Sequence, residues 1–242
     1  MNNYRLLIQY DGTDYAGWQI QNETRTIQQT ITDSIETVAK EKVNLIGSGR
    51  TDTGVHALGQ VANFRIDVEL DLYKFRHSLN SILPKDISVL SIGKVNENFH
   101  ARFDARKRTY IYIISKYKSP FFRRYSYNYH TELNLTQLNS LSQLFIGVKD
   151  YTSFSKKNDD IDNRLCEVFN AEWYEKDDLI VFEISANRFL HGMVRTITGT
   201  ILKASEIQNS KEYIEKIFSE MNRESAPMAV PANGLFLFKV QY

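Results

Sequence analysis

The sequence predicts an α+β protein built as two tandem β-α-β-β-α-β halves, with a mixed, mostly antiparallel sheet and helices packed on it. Three observations carry this. Apolar residues recur at helical spacing in separate stretches, and runs of strong β-formers lie between them. The order of elements in the first hundred residues then returns in the remainder, and each half has the split βαβ pattern shared by ferredoxin-like and RRM-like domains. A chain of 242 residues, 42% hydrophobic and 24% charged, suits one or two globular domains. The expected division is 1–105 and 106–242.

Tyr4 to Tyr10 is a strand ending at the turn signal Asp11-Gly12. Thr26 and Gln29 form a capping box for a helix that turns Ile27, Ile31, Ile35 and Val38 to one side. Val43 to Ile46 and Val61 to Ile66 are strands flanking a glycine-rich loop. Leu72, Phe75, Leu79 and Ile82 mark a helix that stops before Pro84, and Ile87 to Val95 follows as a strand. In the second half Tyr110 to Ile114 is a strand, and Asn134 with Gln137 caps a helix carrying Leu138, Leu141 and Phe145 inward. Strands over Leu165–Tyr174 and Leu179–Ser185 meet at an Asp177-Asp178 turn. Helices are expected over Phe189–Leu202, and over Ser210–Met221 with Tyr213, Ile217 and Met221 inside. Leu235 to Tyr242 closes as a strand, while Lys156–Asn163 and Arg223–Asn233 are the expected mobile loops.

Charge and cysteine content narrow the function. The net charge is +1, so a uniformly basic nucleic-acid binder is excluded, but a local basic surface is not. Residues 101–130 supply one: eight Lys/Arg, a single acid (Asp104) and nine aromatics. Its cations can neutralise phosphates, and its rings can pack inside or stack on bases. Cys166 is the sole cysteine, which leaves no internal disulfide and no cysteine-based zinc site, and no histidine spacing supports zinc. No apolar run approaches a membrane span, and the first residues lead into a strand rather than a signal sequence. The expected compartment is the cytoplasm.

The stretch with the most chemistry is Gly47-Ser48-Gly49-Arg50-Thr51-Asp52-Thr53-Gly54-Val55-His56-Ala57. Three glycines in eight residues permit turn conformations that a Cβ forbids. They place Asp52 on a loop at the end of a strand, where catalytic groups concentrate. Arg50 nearby favours the charged carboxylate. On these residues alone, the simpler reading leads: Asp52 caps the Thr-Asp-Thr-Gly turn.

That run resembles the signature loop of the TruA family of tRNA pseudouridine synthases, in which the aspartate is catalytic. Four further strings resemble the family in the same order: Tyr10-Asp11-Gly12-Thr13 with Gly17-Trp18-Gln19, Phe99-His100-Ala101-Arg102-Phe103 ahead of Tyr110, Asn187 to Arg195, and Ala232 to Leu237. The resemblance spans nearly the whole chain and implies the pseudouridine synthase fold, a homodimer, and uridine-to-pseudouridine isomerisation at positions 38 to 40 of the tRNA anticodon stem-loop. It implies that Asp52 is catalytic and that Tyr110, Arg50, Arg195 and Leu235 bind substrate. Tyr110 would stack on the target uracil, Arg195 would pair with Asp52, and Arg50 would hold the flipped nucleotide. The isomerisation changes no redox state, so no cofactor or metal is expected. Several relatives carry other residues around His191-Gly192, and no role is assigned to His191. Two rivals remain on the sequence. A non-catalytic RRM-like module leaves the Asp52 loop unexplained and lacks the RNP1 signature, and a carboxylate-metal hydrolase would use Asp52 with Asp11.

Overall fold

The computed structural model describes residues 1–157 and 163–242. In chain order its strands are β1 (Asn2–Tyr10), β2 (Ile46–Gly47), β3 (His56–Ile66), β4 (Ile87–Val95), β5 (Lys107–Ser115), β6 (Tyr127–Asn128), β7 (Gly147–Asp150), β8 (Leu165–Lys176), β9 (Leu179–Ala186) and β10 (Leu235–Gln241). Its helices are α1 (Ile27–Ala39), α2 (Leu72–Ile82), α3 (Leu135–Ser142), α4 (Met193–Ser205) and α5 (Ser210–Glu220). The chain forms two compact units. One comprises Met1–Arg106 with Phe236–Tyr242, and the other comprises Lys107–Leu235.

In the first unit, β1 lies between β4 and β3 and is antiparallel to both. Alternation along β1 buries Tyr4, Leu6, Ile8 and Tyr10. Tyr4 packs on Phe64 at 5.8 Å between ring centroids, and Phe64 packs on Phe75 of α2 at 6.1 Å. The far edge of β3 is shared. Short β2 pairs antiparallel at Ala62 and Asn63, and β10 pairs parallel at His56 and Ala57. The final strand, placed in the second half by its sequence position, thus completes the sheet of the first unit.

α1 begins at Thr26, whose hydroxyl accepts the Gln29 N–H at 3.4 Å. Gln29 turns its side chain to Asp33, donating Nε2 at 2.6 Å instead of accepting the Thr26 N–H, so half of the capping box forms. The strand expected over Val43–Ile46 shrinks to Ile46–Gly47. Side chains take its backbone groups instead: Glu36 accepts from the Val43 N–H, and Gln28 donates to the Leu45 carbonyl. The strand expected from Val61 starts earlier, at His56. At the end of α2, Ile82 is exposed and Leu83 is buried in its place.

In the second unit the sheet order is β5-β9-β8-β7, all antiparallel, with β6 added parallel to β5. Asp177 takes a positive φ of 54° in the tight β8–β9 turn. Trp173 stacks on Phe182 at 4.6 Å and donates its indole N–H to Ser142 at 2.9 Å, which ties α3 to the sheet. The helix expected from Phe189 starts at Met193, because Gly192 at φ 72° turns the chain out of helical geometry just before it. α5 ends at Met221, which adopts the left-handed conformation and is exposed; Ile214 fills the interior with Ile217. Arg223–Asn233 is irregular but anchored, with Val230 bonded to Arg195 and the Pro231 carbonyl accepting the Tyr112 hydroxyl. Most of the other expected loop, Lys156–Asn163, lies outside the described residues.

Thr26→Ala removes the only side-chain cap of α1 and is expected to lower unfolding stability by about 1 kcal/mol, read from the urea midpoint at unchanged m-value.

Candidate active site

Asp52 sits in the short connection between β2 and β3, and two backbones stacked on each other fix its place. The segment after β1 runs directly over the aspartate loop. Trp18 N–H donates to the Thr51 carbonyl at 3.1 Å, and Gly54 N–H donates to the Tyr15 carbonyl at 3.4 Å. The approach is so close that side chains are forbidden. A Cβ on Gly12 would lie 2.0 Å from the Val55 carbonyl oxygen, and one on Gly17 would lie 2.6 Å from that of Thr51. Gly17 also has φ 93°, a conformation that disfavours any L side chain. A third glycine, Gly47, lets the Trp18 indole lie on the loop, since its Cβ would fall 2.5 Å from that ring.

The loop is also held from beneath. The Tyr10 hydroxyl meets Thr51 Oγ1 at 2.8 Å, and burial pushes the tyrosine's pKa far up, so the group stays neutral. Ser48 donates to Gln60 Oε1 at 2.6 Å, and Gln60 Nε2 donates to the Gly49 carbonyl at 2.9 Å. Within the loop, the Val55 N–H closes a turn on the Asp52 carbonyl at 3.1 Å. His56 is buried, accepts the Gly12 N–H at 3.1 Å and stacks on Phe236 at 4.7 Å. Against this fixed frame, Asp52 is half-buried and Arg50 is exposed. A held loop presenting a part-exposed carboxylate can supply a nucleophile or a base without reorganising.

Of the residues singled out from the sequence, Asp52 and Arg50 belong to the first unit. Tyr110, Arg195 and Leu235 belong to the second. Tyr110 lies on β5, is 6% exposed and meets the edge of Phe189 at 5.1 Å. Arg195, on the first turn of α4, donates Nε to the Val230 carbonyl at 2.7 Å, which orients its guanidinium. Leu235 opens β10 and is buried.

The basic stretch divides by position. Tyr110 and Tyr112 on β5 are buried, as strand aromatics usually are, and Arg108 is buried with a bond to the Asn187 carbonyl. Lys116 pairs with Glu175. Beyond β5, Tyr117, Phe121, Phe122 and Tyr125 are exposed alongside Lys118, Arg123 and Arg124. Gln60, which clamps the loop, was missed from the sequence because an amide inside a β-run carries no signal until its partners are known.

A sequence profile of the tRNA pseudouridine synthases matches residues 6–104 and 141–242. The chain belongs to that family. It is therefore an isomerase converting uridine to pseudouridine in tRNA. Full-length similarity agrees. The tRNA pseudouridine synthase A of Bacteroides fragilis is 41% identical, with 100% of this chain and 97% of that protein aligned. The same enzyme of Caldicellulosiruptor saccharolyticus is 38% identical with both chains fully covered. The tRNA pseudouridine synthase A 2 of Bacillus cereus is 36% identical, again over 100% of both.

Gly12→Ala would place its methyl group on the Val55 carbonyl, and the two loops must part to admit it. The expected cost is roughly 1–3 kcal/mol of stability, read as a lowered thermal midpoint. An unchanged midpoint would show that the loops separate freely.

Proposed function

We propose that this isomerase acts on uridines 38 to 40 in the anticodon stem-loop of tRNA, as a cytoplasmic homodimer, with Asp52 as its catalytic residue. The observation that supports the reading most is the fixed loop around Asp52, anchored by hydrogen bonds on Gly49 and Thr51 just before it. In the reaction the C1′–N1 bond of uridine breaks, the uracil turns, and a C1′–C5 bond forms. The C5 proton is lost and N1 gains one, so the sum is an isomerisation. The Asp52 carboxylate either attacks the nucleotide or removes a sugar proton, and both routes release the uracil reversibly.

A base inside a stem is out of reach while stacked, so the uridine must be extruded. Arg50, exposed and two residues from the carboxylate, is the group proposed to hold the gap or the neighbouring phosphate. Tyr110 is proposed to stack on the extruded uracil, Arg195 to keep the carboxylate charged, and Leu235 to contact substrate. Action at several neighbouring sites implies recognition by backbone and shape rather than by base identity. The exposed cations and rings of residues 117–125 suit that mode.

The test is pseudouridine mapping on an anticodon stem-loop transcript. Asp52→Asn is expected to bind the RNA and form no pseudouridine; full conversion by this variant would refute the catalytic assignment. Tyr110→Phe should bind nearly normally and turn over at least about tenfold more slowly, and unchanged turnover would reduce Tyr110 to a packing residue.

A further inference from the structure

We propose that Gln60 is a positioning residue for the reaction, acting with Tyr10 to fix the backbone on both sides of Arg50 and so aim Asp52. The proposal rests on the reading of Asp52 as the catalytic group. Gln60 is fully buried on β3, opposite Ile8 of β1. An aliphatic residue would fill that position at no polar cost, whereas a buried amide left unsatisfied is destabilising. Here the amide is used on the aspartate loop. Its oxygen accepts from Ser48 Oγ at 2.6 Å and from the Val61 N–H at 3.2 Å. Its nitrogen donates to the Gly49 carbonyl at 2.9 Å. Tyr10 meets Thr51 Oγ1 at 2.8 Å.

A buried polar set therefore holds the loop, Gln60 on Ser48 and Gly49 and Tyr10 on Thr51, and all of its side chains are under 7% exposed. It grips the loop immediately before Arg50 and immediately before Asp52. With those two points fixed, Arg50 and Asp52 cannot swing independently of β3. A displacement of about 1 Å at a reacting group costs on the order of a hundredfold in rate, so the grip matters to the chemistry more than to affinity.

The experiment uses Gln60→Glu in the full chain. The introduced carboxyl keeps the length of the side chain and both acceptor bonds. When ionised, it cannot donate to the Gly49 carbonyl; when protonated, it can. Single-turnover rate, affinity for a tRNA transcript and thermal midpoint are measured across pH, beside wild type and Asp52→Asn. At pH 8 the rate is expected to fall about tenfold or more with affinity held within about twofold. The ratio of variant to wild-type rate should climb as pH falls and the carboxyl protonates. A role in folding alone would not produce that recovery. A wild-type rate at pH 8, or a rate loss that is flat with pH, overturns the proposal.

If Gln60→Glu does not fold, Tyr10→Phe, Thr51→Ala and their double variant decide. The double variant should be no slower than the slower single one, because both remove the same bond; additive losses overturn the role of that bond. Activity retained by Asp52→Asn would instead refute the reading of Asp52. An inactive Asp52→Asn with a fully active Gln60→Glu would refute the role of Gln60 alone.

Discussion

Contact between two backbones governs everything else at the site. The segment after β1 lies against the aspartate loop so closely that Gly12 meets the Val55 carbonyl and Gly17 meets that of Thr51, with no room for a side chain at either place. Loops ordinarily gain mobility from exposed, unpaired backbone. In this loop, peptide groups of the two segments satisfy each other, and the Trp18 ring covers Gly47. The result is a connection between strands that is nearly as determined as the strands themselves.

The position of Asp52 follows from that contact, together with the polar groups beneath it. Buried hydrogen bonds contribute modestly to net stability but cost a good deal when broken, so they select one arrangement over its near neighbours. Tyr10, Gln60 and Ser48 apply that selectivity next to the carboxylate, and His56 applies it from the other side through Gly12. If Asp52 is the catalytic group proposed, such placement is what the fold contributes.

Much of this was legible in the sequence. Elements with strong periodic patterns and local caps appeared as expected: α1 behind Thr26, α2 before Pro84, α3 behind Asn134, and the hairpin of β8 and β9. The aspartate loop was legible because glycines and a central acid are a local signal. Features decided by distant partners were not. β2 is short because Glu36 and Gln28 capture its backbone groups. The pairing of β10 with β3 joins residues about 180 positions apart, which no local pattern encodes. Gln60 belongs with these, since its hydrogen bonds reach Ser48 and Gly49 on the loop more than ten positions earlier.

On the proposed role of Asp52, the packed pair of loops, rather than the presence of the carboxylate alone, makes that group effective. Gly17→Ala tests it most directly, because it disturbs the contact with Thr51 and leaves Asp52 and every cation in the sequence. Single-turnover pseudouridine formation at saturating enzyme should fall at least about tenfold, with tRNA affinity changed by no more than about twofold. A wild-type rate from this variant would contradict the account.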